Sequence, residues 1–172
     1  MYPFFELHLL LQNHEPTLDL KYVIPLFILD FASVFHANTS SLPDNAAITS
    51  IVLKIKKQGL VGTDLFTTHQ GLLVDIRKPY FGTALGLAAS DFQASASKSN
   101  VGTFGSTPSV SWYTVTLSSS AHLYINKTGT TQFRLRFQKD DNDDLAADYL
   151  KFYSGYAATA SRPVLIIQYY VP

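Results

Sequence analysis

After Phe35, apolar and polar residues alternate along most of the chain. A period of two is the mark of a strand with one buried and one solvated face. In Thr131–Phe137, Phe133, Leu135 and Phe137 fall on one side and Gln132, Arg134 and Arg136 on the other. Ile48–Lys57 sets Ile51, Leu53 and Ile55 against Val52, Lys54 and Lys56, and Leu72–Lys78 sets Leu72, Val74 and Ile76 against Leu73, Asp75 and Arg77. Trp112–Leu117 alternates again, and Asp148–Ser154 and Val164–Val171 supply two further strands. Leu123–Asn126, followed by the turn Lys127–Thr130, predicts a hairpin whose second arm is the Phe133 strand. Gln58–Gly71 is a Gly- and Thr-rich loop, and Ala88–Ser97, with small residues around Phe92, predicts one short helix. Short strands separated by Gly, Pro, Asn and Ser predict an all-β fold, a two-sheet antiparallel β-sandwich of jelly-roll type.

Residues 1–35 read differently from the rest. They hold an apolar run, Tyr22–Phe35, interrupted by Pro25 and Asp30 and too short for a membrane span. A core strand over Leu26–Phe35 is the expected use of it. The segment is an atypical opening, either substitute or truncated first strands, ahead of a sandwich over residues 36–172. A secretory signal needs a basic start and a small-residue cleavage site, and neither is present. If the chain works outside the cell, its export signal is expected to lie elsewhere or to have been lost.

Composition narrows the function classes. Thirteen basic and thirteen acidic residues cancel, so no global field draws the chain to nucleic acid or anionic membranes. The absence of cysteine excludes thiol nucleophiles, disulfides and thiolate metal sites. His8, His14, His36, His69 and His122 are scattered without metal-ligand spacing, and no nucleophile motif accompanies a Ser and a His. The chain is not expected to be an enzyme. Asn38-Thr39-Ser40 and Asn126-Lys127-Thr128 match the glycosylation acceptor pattern, which is common by chance.

The segments Phe133-Arg-Leu-Arg-Phe137, Asp140-Asp-Asn-Asp-Asp144, Ala147-Asp-Tyr149, Phe152-Tyr-Ser-Gly155 and Arg162–Tyr169, with Asn38–Ala46 and Ile48–Lys54 upstream, resemble a DNRLRE domain. The likeness spans about residues 38–172. It implies a non-catalytic β-sandwich, a carbohydrate-binding module carried by secreted or cell-surface proteins beside neighbouring domains. Residues 1–35 do not resemble that family's opening strands, and Leu145-Ala146 stands where a Gly-containing turn is expected.

Two constellations carry candidate chemistry. Arg134 and Arg136 share a strand face, as do Lys54 and Lys56, while Arg77 shares one with Asp75. On neighbouring strands these would form a polar plateau for a polysaccharide, an acidic one in particular, because guanidinium forks suit carboxylates and sugar oxygens. The plainer reading is a solvated face with cross-strand pairs such as Asp75 with an arginine. Asp140, Asn142 and Asp144 have the alternate spacing of a calcium loop, but Lys151 stands where the bidentate Glu belongs, so an EF-hand is rejected. A simpler calcium site, with backbone carbonyls and Asp148, stands beside the reading of a tight Asp/Asn turn. No other cofactor is implied. The functional expectation is polysaccharide binding on the Arg/Lys-bearing face, with a structural or adhesive spacer as the alternative.

Overall fold

A computed structural model describes residues 32–86, 88–140 and 147–172. Among the described residues, eight strands form two antiparallel sheets: β1 (Ala32–Asn38), β2 (Ala47–Val61), β3 (Leu72–Arg77), β4 (Lys98–Phe104), β5 (Trp112–Thr116), β6 (Thr130–Phe137), β7 (Tyr149–Phe152) and β8 (Val164–Tyr170). The first sheet runs β1-β6-β3-β4, and the second runs β5-β2-β7 with β8 also paired to β2. The expected all-β, two-sheet antiparallel architecture is what the chain adopts.

The second sheet is organised by the length of β2. β8 pairs Ala47–Lys54 and β5 pairs Val52–Lys56. Sharing residues 52–54 forces those two partners onto opposite edges. β7 pairs the end of the strand, Lys57–Val61, with a bulge between Lys57 and Gly59. The Lys56 carbonyl accepts from Tyr153 N, whereas Lys57 N donates to the Ser111 carbonyl. The C=O and N–H of this one trans peptide group point to opposite edges, so β7 continues along the edge used by β8.

The alternation read from the sequence sets the inner faces. Ile51, Leu53, Ile55, Tyr113, Val115, Leu165, Ile167, Leu150 and Phe152 from one sheet meet Leu72, Val74, Ile76, Phe133, Leu135 and Phe137 from the other. Each such side chain contributes about 1.5–3 kcal/mol by leaving water. At one end a four-residue helix, α1 (Leu65–Thr68), closes the seam; Asp64 caps it by accepting from Phe66 N. Phe66 stacks on Tyr113 and meets Phe137 edge-on, both with ring centroids 5.4 Å apart. One ring thereby joins the two sheets.

Several local expectations are corrected. The helix over Ala88–Ser97 is a single 3-10 turn at Ala89–Phe92, as its small residues and short length allow. Leu123–Asn126 is not a hairpin arm: Ser119–Tyr124 is a 3-10 turn, and β6 pairs with β1 and β3 instead. The Gln58–Gly71 loop is part strand and part α1, and β4 was not foreseen. Of the Leu26–Phe35 strand, the part before residue 32 lies outside the described residues.

Both glycosylation-like triplets are built into turns. The Thr39 hydroxyl donates to the Asn126 carbonyl at 2.6 Å and lies 2.9 Å from the Thr131 hydroxyl. The Asn126 amide donates to the Thr130 carbonyl and accepts from Thr128.

Candidate functional site

The expected plateau is divided between two sheets. Arg134, Arg136, Asp75 and Arg77 lie on β6 and β3 of the first sheet, Lys54 and Lys56 on β2 of the second. They do not form one surface.

On the first sheet the outer face is covered. The connection from β3 to β4, residues 78–97, folds back across it and is fastened by the side chains that alternation places there. Gln132 accepts from Phe81 N at 2.7 Å and donates to the Leu85 carbonyl. Arg77 donates to the Tyr80 carbonyl at 3.1 Å. Arg134 does most of the fastening. Its Nη1 points at the carbonyls of Asp91, Phe92 and Ala94, at 3.3, 3.0 and 2.8 Å, and its guanidinium lies 4.6 Å from the Phe81 ring centroid. Gly82, at φ +67°, lets the backbone pass against the Asp91 carboxylate, where a Cβ would collide with it.

Asp75 sits at the centre, fully buried. It receives Arg134 Nη2 at 2.8 Å and Arg136 Nε at 2.9 Å, and Asn100 N donates to its other oxygen at 2.9 Å. The expected exposed strip is thus corrected: Arg134 is only 7% exposed, Arg136 is half-buried, and both hold one internal carboxylate. The pairing of Asp75 with arginine was foreseen as a surface contact, but it is an interior one. Two cations on one anion leave a surplus positive charge, which the three carbonyls of the covering segment absorb.

Burial alone would raise the Asp75 pKa. The hydrogen bonds from Arg136, Asn100 N and Arg134 outweigh it and hold the carboxyl below its ordinary 3.8. A depressed folded value stabilises the fold above the unfolded pKa of about 3.9, and that contribution is lost as pH falls through the folded value. Urea midpoints are therefore expected to hold steady from pH 7 to 5 and fall steeply below about pH 4. An Asp75→Asn variant should show a lower midpoint at pH 7 and a shallower acid decline.

The outer face of the second sheet is partly exposed: Lys54, Lys56, Trp112, Lys151 and Tyr153 are half-buried and Thr114 is exposed. Lys56 stands opposite Trp112 on β5, and Lys54 opposite Thr114. The Lys54 and Lys56 ammonium groups lie 5.3 and 5.7 Å from the Trp112 ring centroid, and Lys56 lies 5.6 Å from that of Tyr153. Farther along, Lys151 on β7 lies 5.3 Å from the Tyr149 ring. Lys56 also donates to the Ser161 hydroxyl at 3.0 Å. Among the described residues, the only ion pairs are the two on Asp75. The three lysines of this face therefore lack a carboxylate partner there. Sequence spacing placed Lys54 and Lys56 side by side. Trp112, Tyr149, Lys151 and Tyr153 were missed, because only the β2–β5 and β2–β7 registers bring them alongside.

For the calcium loop, Asn142 and Asp144 lie outside the described residues, and Asp140 is exposed. Buried Asp148 accepts from Thr63 N at 2.6 Å, and its second oxygen has no hydrogen-bond partner among the described residues. Among the described residues, no three His, Asp or Glu side chains are grouped to hold a metal ion. No helix among them is long and apolar enough to cross a membrane. Comparison with protein-family models, with curated proteins and with solved structures gave no match.

Proposed function

We propose that this chain is a non-catalytic carbohydrate-binding module, of the kind the DNRLRE resemblance implies, carried by a secreted or cell-surface protein. Its ligand would be an acidic polysaccharide laid across the outer face of the β5-β2-β7 sheet. One observation carries this reading: Lys54, Lys56 and Lys151 interleave with Trp112, Tyr153 and Tyr149 and have no carboxylate partner among the described residues. Aromatic rings offer flat apolar area to the faces of sugar rings, and ammonium groups offer charge to uronate or sulfate. An exposed ammonium–ring contact is worth only about 0.5–1 kcal/mol. A carboxylate arriving from a ligand exchanges that contact for an ion pair at little cost.

Trp112 is the only tryptophan, so tryptophan fluorescence, excited selectively over the tyrosines, reports on this face alone. Titration with oligo-alginate or oligogalacturonate is expected to change Trp112 emission, with affinity falling as salt rises from 50 to about 500 mM, since exposed charge pairs are screened. Cello-oligosaccharide, which has no charge, is expected to bind more weakly and without that salt dependence. Equal binding of the neutral and acidic oligomers would remove the lysines from the mechanism.

The spacer reading has one observation in its favour. Arg134 and Arg136, the strongest donors in the sequence pattern, serve the interior. It predicts no emission change with any of these oligomers.

A further inference from the structure

A cleft of about 540 Å³ opens at the end of the sandwich where the β1–β2 connection, the turn before β6 and the exit of β3 meet. Ile48 and Ile125 contribute apolar walls, and Leu123, 78% exposed, stands at the rim. Lys78, His122 and Lys127 line it against a single carboxylate, that of Asp44. Lys127 is fixed in place: its ammonium donates to the carbonyls of Asp44 and Ala46, at 2.9 and 2.6 Å. An ammonium group has three donors, so one remains. Lys78 is exposed and His122 half-buried, and neither side chain has a hydrogen-bond or ion-pair partner among the described residues. Asp44 is engaged through its backbone carbonyl and not as a counter-ion.

We infer that this cleft binds a small molecule that combines a carboxylate with an apolar body, at a site separate from the sheet face described above. Three basic groups converge on a volume within the range of small-ligand pockets, and the apolar walls and rim give the ligand's body somewhere to leave water. The carboxylate accepts hydrogen bonds from the remaining Lys127 N–H, from Lys78 and from the imidazole; the body lies along Ile48 and Leu123.

The test is an amide chemical-shift titration of the whole chain with hexanoate, set against hexylamine and hexanol, which share its apolar body. Hexanoate is expected to give saturable shifts at Ile48, His122 and Leu123, with a Kd of about 1–10 mM for so small a ligand. Hexanol is expected to bind at least about fivefold more weakly, and hexylamine not at all, because two or three exposed charge contacts separate them. The Lys78→Gln/His122→Gln pair should weaken hexanoate at least about fivefold and leave hexanol unchanged. Leu123→Asp, at a site already open to solvent, sets a like charge at the rim and should abolish hexanoate binding. Equal affinity for hexanoate and hexanol, indifference to all three substitutions, or shifts confined to Lys54, Lys56 and Trp112 would overturn the inference.

Discussion

Replacing Asp75 by Ala is expected to destabilise the fold by about 3–5 kcal/mol, the usual loss when one partner of a buried ion pair is removed. The cause is what the substitution leaves behind. Two guanidinium groups, one nearly buried and one half-buried, would face each other without the anion that both now share. Asn100 N would lose its acceptor as well. Against a total stability of about 5–15 kcal/mol for a domain, this is a large fraction. Arg136→Ala should cost much less, since Arg134 stays on the carboxylate and Arg136 already reaches solvent. Urea unfolding of the two variants checks the order. Hydrogen exchange adds a local signature, because Phe81 N and Ala88 N depend on the segment that Arg134 fastens. An Asp75→Ala unfolding free energy within about 1 kcal/mol of the parent would mean that the cluster is far wetter than its burial indicates.

The second large effect is on binding and leaves the fold alone. Reversing two charges together, Lys54→Glu with Lys56→Glu, is expected to lower affinity for oligo-alginate at least about tenfold, as two attractions of roughly 0.2–1 kcal/mol each become repulsions. Both lysines lie on the outer face, opposite inward-pointing Leu53 and Ile55, so the unfolding free energy from urea titration should change by less than about 0.5 kcal/mol. Fluorescence titration and urea unfolding of the same protein separate the two effects. A shared fall in stability and affinity would make the face a packing surface instead of a binding one.

These predictions differ from those a sequence reading would make, and the reason is physical. A period of two says which side chains share a face. It does not say whether that face meets water. Gln132, Arg134 and Arg136 do lie together, opposite Phe133, Leu135 and Phe137, as their spacing requires. Their cover comes from residues 78–97, a stretch of Gly, Ala and Ser with no strong pattern of its own. A signal was nevertheless available: Asp75 interrupts the apolar run Leu72-Leu-Val-Asp-Ile76, and a lone acid in such a strand needs a buried cation. β4 was hidden because Lys98–Phe104 buries only Val101 and Phe104, three residues apart, with a bulge in the β3 pairing between Lys98 and Gly102. Leu123-Tyr-Ile reads as strand by residue preference, but Ala121 is buried beside it and the segment winds into a 3-10 turn. The lysine–aromatic face was half legible. Lys54 and Lys56 were visible on one strand, whereas Trp112 reaches them only through the register that sets Lys56 opposite it.

Only one outer face of the sandwich, that of the β5-β2-β7 sheet, is expected to meet a ligand. Hydrogen exchange of the full chain with and without saturating oligo-alginate reads this directly. Added protection is expected in β5, in β7 and over Lys54–Lys57, with β3, β6 and residues 78–97 unchanged. Protection that appears instead over β6 and residues 78–97, with β5 and β7 unaffected, would contradict it.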